Sequence, residues 1–163
     1  MAKHEVTAPG ADFNGASAIP QGSDAQATFS KLLTTVNVAI ALERRHESAA
    51  HDPARRRAAE RSWAAVRAAA AQVCDGPATS DETRAFVAFA MVIARLAATR
   101  GTRRGRAFLD ELMNDPEQLL ALFRHAGCDR ARRLMAVAFN QIDRLTGLAV
   151  FAPRKLAPVA DAA

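Results

Sequence analysis

Tyrosine is absent from this chain, tryptophan occurs once, at Trp63, and three lysines stand against nineteen arginines. Trp63, the one large anchor, is expected in the core rather than as a ligand platform. The skew towards alanine and arginine follows from GC-rich coding as readily as from function, so the arginine count alone assigns no partner. Only two cysteines occur, Cys74 and Cys128, too few for a disulfide framework, and both read as free thiols. No secretory h-region occurs in the first thirty residues, so export by that route is not expected and a cytoplasmic location is. The longest apolar run is the ten residues Ala85 to Ala94, half of what a bilayer-spanning helix needs. No glycine-rich loop follows a strand pattern, which argues against the nucleotide-binding folds. No internal repeat and no convincing strand is present, since short β-branched stretches such as Val36 to Ile40 lie inside longer helical periods.

What is present is helical. The 163 residues suit one domain, and a domain of this size buries roughly two thirds of its surface on folding without disulfide or metal. The decapeptide 85–94, closed by Arg84 and Arg95, makes nearly three turns apolar on every side, and such a helix must be enclosed by protein. The expected architecture is therefore an all-α single domain of five to six helices packed around a buried central helix. Residues 1–22 and 152–163 read as loose tails around a helical domain at 23–151, because their apolar residues are isolated among Ala, Gly, Pro and Ser. A first helix starts at Ser23 or Asp24, with Phe29, Leu32, Leu33, Val36 and Ile40 on one face and Val38 and Leu42 roughly opposite. Asp52-Pro53 announces a second helix, with Ala59, Trp63, Val66, Ala70, Val73 and Cys74 inward. The third begins near Ser80 or Asp81, contains the apolar run and ends around Arg100-Gly101. A basic connector, 102–106, leads to a short helix over 107–113, and Asp115-Pro116 starts another with Leu119, Leu120 and Phe123 inward. Gly127 is placed to end that helix in the left-handed region. The last helix runs from Asp129 to Val150, with Leu134, Ala138, Ile142, Leu145 and Ala149 as its apolar face.

Few residues carry recognisable chemistry. Glu43 and His46 have the Glu-x-x-His spacing of di-iron bundles, but the pair occurs once, so no metal ligands are assigned and 43–47 reads as a solvated, charged helix end. His125 and Cys128 flank Gly127 without a third group to orient them, so no catalytic residue and no cofactor is assigned. Two surfaces remain. On the last helix Arg130, Arg133, Asn140, Gln141 and Arg144 project within about 100° of one another, and these side-chain types read guanine and adenine edges. With Arg103, Arg104 and Arg106 on phosphates, they would form a helix-turn-helix-like nucleic-acid interface. Against this, Arg133 occupies a position where that motif wants an apolar residue. The other surface is made of Val38 and Leu42 on the first helix and Arg55, Arg57 and Arg61 on the second, suited to a protein partner or to self-association. The expected function is a non-catalytic regulatory or adaptor protein that binds a partner protein or itself, with the nucleic-acid-binding regulator as the alternative.

Overall fold

The computed structural model describes residues 22–115, 117, 121 and 127–152. Among them are five helices and no strand: α1 (Gly22–Glu47), α2 (Pro53–Cys74), α3 (Asp81–Ala98), α4 (Arg103–Asn114) and α5 (Asp129–Thr146). Of the expected tails, residues 1–21 and 153–163 lie outside the described residues, while Gly22 already belongs to α1; the helix expected from Pro116, with Leu119, Leu120 and Phe123, also lies outside them except for 117 and 121.

Local chemistry sets the helix ends. Asp52 Oδ1 accepts from Ala54 N at 2.8 Å and Arg55 N at 3.4 Å, with Pro53 following in the first turn. Ser80 Oγ accepts from Thr83 N at 3.1 Å while Thr83 Oγ1 accepts from Ser80 N at 3.0 Å, a reciprocal capping box. Thr102 Oγ1 accepts from Gly105 N at 3.1 Å, and this cap starts α4 four residues earlier than expected from the sequence. Arg103, Arg104 and Arg106 are thus helical rather than part of a connector. The sharp turn before them uses Gly101 at φ +73°, the left-handed glycine. Gly105 is a second glycine with a physical reason, because a Cβ there would sit 2.3 Å from the Thr99 carbonyl oxygen. α5 stops at Thr146 rather than Val150, since Leu148 N and Phe151 N close tight turns onto Leu145 O (3.1 Å) and Leu148 O (2.9 Å). That turn turns Leu148 and Phe151 into the core and leaves Ala149, expected inward, exposed.

Cross-helix contacts fix the directions. Phe86 stacks on Phe29 with centroids 4.2 Å apart, Gln26 bonds to Glu82, and Arg100 reaches Glu43, so α1 and α3 run parallel. Gln141 meets Leu33 and Arg144 meets Asn37, so α5 is parallel to both. Lys31 opposite Gln72 and Glu43 opposite Trp63 make α2 antiparallel to α1, as the short 47–53 link requires. α1 packs on α2, α3 and α5, and α3 also meets α2, α4 and α5. The expected inward residues of α1 and, apart from half-buried Cys74, of α2 are buried, and Phe89 adds an edge contact to the Phe29–Phe86 stack at 5.7 Å. Each fully buried Val, Leu, Ile or Phe among them contributes roughly 1.5–3 kcal/mol.

The apolar decapeptide is not enclosed on every side. Phe86, Phe89, Ala90 and Ile93 are buried, but Met91 is 61% exposed and Val87 and Val92 are half-buried. The neighbours of α3 leave one strip of it facing outward, and the core is shared among α1, α2, α3 and α5. Both cysteines are free, and among the described residues no helix is long and apolar enough to cross a membrane.

Candidate functional site at the arginine-rich end

Because α1 and α3 are parallel and α2 opposes them, the C-terminal ends of α1 and α3 meet the N-terminal ends of α2 and α4 at one end of the molecule. The most unusual group there is Glu43, whose side chain is 0% exposed. Its Oε2 accepts from Trp63 Nε1 at 2.7 Å and from Arg100 Nη1 at 2.6 Å, and the Arg100 guanidinium is itself largely covered. A buried carboxylate is tolerable only when paired and hydrogen-bonded in this way. The reading of 43–47 as a solvated helix end is therefore corrected for Glu43, while Arg44 and Arg45 are exposed as expected. Glu43 falls one turn beyond Ile40 and two beyond Val36 on the buried face of α1, where a side chain of any polarity is carried into the core.

Half of that carboxylate remains unused. Oε1 is buried with no hydrogen-bond partner, and so is Nδ1 of His46, one turn further along. Both residues line a cleft of about 370 Å³ together with Glu47, Ala50, Gly101, Arg106, Ala149 and Val150. Glu47 Oε1 accepts from Ala149 N at 2.6 Å, and Arg106 Nε donates to Phe151 O at 3.0 Å, so the turn after α5 forms one wall of the cleft. No group of three or more His, Cys, Asp or Glu among the described residues is placed to hold a metal ion.

Around this cleft the acids are engaged. Glu43 serves Arg100 and Trp63, Glu47 serves the Ala149 amide, Asp52 caps α2 and pairs with Arg55 at 3.2 Å, and Glu60 pairs with Arg56 at 3.0 Å. Arg55 also donates to Arg45 O at 3.3 Å, tying the starts and ends of the first two helices together. Arg44, Arg45, Arg57, Arg61, Arg103 and Arg104 are exposed and make no ion pair among the described residues. The C-terminal carbonyls of α1 and α3 favour cations at this end, whereas the N-termini of α2 and α4, where Arg103 and Arg104 sit, favour anions.

The other expected surface does not assemble. Arg130, Arg133 and Asn140 are exposed on α5, but Gln141 is buried and donates to Leu33 O at 2.6 Å, which removes it from any base-reading stripe. Arg144 is held by Asn37 Oδ1 at 2.6 Å. Arg130 and Arg133 start α5 at the opposite end of the bundle from Arg103, Arg104 and Arg106; from Arg130 to Arg144 the helix rises about 21 Å. The first helix of the expected helix-turn-helix lies in 116–126, and within that stretch only 117 and 121 are described. Of the apolar pair proposed on α1, Val38 is 49% exposed and Leu42 is half-buried. Residues missed from the sequence are Glu43, Trp63 as its donor, Arg100 and the cleft face of His46. The periodicity of α1 marked Glu43; nothing local marked Arg100, which comes from 57 positions further along.

A second, larger cavity of about 560 Å³ opens at the far end, lined by Thr28, Val73, Pro77, Thr83, Phe86 and Val87 among others. Beside it Gln26 Nε2 donates to Glu82 Oε1 at 2.6 Å and lies 3.6 Å from Cys128 Sγ. Comparison with protein families, with characterised proteins and with solved structures returns no match for this chain.

Proposed function

We propose that the protein is a non-catalytic regulatory or adaptor protein that docks an acidic surface of a partner protein onto its arginine-rich end. The observation that carries this reading is the set Arg44, Arg45, Arg57, Arg61, Arg103 and Arg104, drawn from three helices to one end while the nearby acids are occupied. An uncompensated cluster of this kind steers an acidic partner and fixes its orientation. Gln141 is unavailable to read bases, and Arg130 and Arg133 lie at the other end of the molecule from these arginines, so a protein partner is favoured over duplex DNA. Val38 supports a second reading, self-association through the outer face of α1.

The test is a salt titration of binding to a poly-glutamate peptide and to mixed-sequence duplex DNA. Arg57→Glu with Arg104→Glu is expected to weaken peptide binding by tenfold or more, about 1.4 kcal/mol, while Arg130→Glu with Arg133→Glu leaves it unchanged. Preferential binding to the duplex, with a steep salt slope and loss in the Arg130/Arg133 variant, would transfer the function to nucleic acid. Self-association predicts a dimer of the wild-type chain that Val38→Asp returns to a folded monomer.

A further inference from the structure

The cleft beside Glu43 presents hydrogen-bonding capacity of both signs that the chain itself does not use. On one side Glu43 Oε1 and His46 Nδ1 are buried without partners. On the other, Arg106 is anchored through Nε to Phe151 O, leaving the two terminal nitrogens of its guanidinium without a partner among the described residues. An unsatisfied buried carboxylate oxygen is costly, and a bound group with N–H donors removes that cost.

The charges restrict the occupant. An anion alone would meet Glu43 and Glu47, and a cation alone would meet Arg106 and the Arg100 guanidinium behind Glu43. We infer that the cleft binds a small zwitterion, its primary ammonium group on Glu43 Oε1 and His46 Nδ1 and its carboxylate on the guanidinium of Arg106. An ammonium has three donors, enough for a carboxylate oxygen and an imidazole ring nitrogen together. An arginine fork held at Nε presents the planar edge that a carboxylate accepts in bidentate fashion. Ala50, Gly101, Ala149 and Val150 supply small, largely apolar walls, which suits a short aliphatic amino acid, and about 370 Å³ lies in the range of small-molecule sites. This inference stands apart from the docking of an acidic protein, which uses exposed arginines outside the cleft.

The test follows backbone amide shifts of the full chain during titration with glycine, alanine, β-alanine and γ-aminobutyrate, and with methylammonium and acetate as half-ligands. At least one zwitterion is expected to saturate shifts around residues 43–50, 101–106 and 149–151 with a Kd of about 1 mM or tighter, and each half-ligand to bind at least about tenfold more weakly. Arg106→Gln and His46→Ala, both in the cleft wall, are each expected to weaken binding about tenfold with the thermal midpoint retained. If either variant unfolds, Glu47→Gln, which keeps an acceptor for the Ala149 amide, tests the same wall. Three results overturn the inference: no zwitterion binds and the cleft holds water only, a half-ligand binds as tightly as the best zwitterion, or the folded variants bind as the wild type does.

Discussion

Burial and the Asp75 carboxylate both disfavour the thiolate of Cys74, burial more so, and its pKa is raised above the ordinary thiol range. The sign follows directly. The folded state holds this proton more tightly than the unfolded state, so the stability it contributes is present below the unfolded pKa and is lost as pH rises through the folded one. In a Cys128→Ser background, Cys74 should react with iodoacetamide at neutral pH more slowly than free cysteine, with its rate climbing at a higher pH than in the denatured chain. A Cys74 that outpaces free cysteine would contradict the burial assigned to it. Glu43 and Gln141 carry a related lesson. Both lie on the inward stripe of their helices, Glu43 with Val36 and Ile40, Gln141 with Ala138 and Leu145. Helical periodicity places both inward, whereas residue type argues for solvent. The deciding facts are distant acceptors and donors, the Leu33 carbonyl for Gln141 and the Trp63 and Arg100 N–H groups for Glu43, which no local pattern contains.

At the level of helices, caps were the most legible signals. Asp52-Pro53 and Ser80 open α2 and α3 where their side chains can serve the free amides of a first turn. Asp52→Ala removes both amide contacts and the Arg55 pair; it should cost about 1 kcal/mol, a fall of about 2–4 °C in Tm by thermal melting. An unchanged midpoint would mean that the N-terminus of α2 is held by something else. Helix lengths were less legible. The basic, acid-free run 102–106 reads as a connector, yet Gly105 lies inside α4, where its missing side chain lets the helix start pack on Thr99. The end of α5 was misplaced for the complementary reason: Leu148 and Phe151 keep the apolar supply going after Thr146, but through tight turns.

At the scale of the whole molecule, the all-helical class followed from periodicity, whereas the directions of the helices did not, because an amphipathic helix buries its stripe equally well pointing either way. Direction is what decides the surface. With α1, α3 and α5 parallel and α2 reversed, Arg57 comes to the same end as Arg104, and Arg130 is carried to the other. The same arrangement brings Arg100 to Glu43 and so closes the cleft that His46 and Arg106 line. The pair Glu43–Arg100 is therefore the link on which both the arginine-rich end and the cleft depend. Its most direct test is a double-mutant cycle in denaturant with Glu43→Gln, Arg100→Gln and the double variant. Each single change is expected to destabilise by about 3–5 kcal/mol because it strands a buried charge, with a coupling energy of about 1–3 kcal/mol between them. Single changes within about 0.5 kcal/mol of wild type and a coupling near zero, as two solvated side chains would give, would contradict the parallel packing of α1 on α3 and the site built on it.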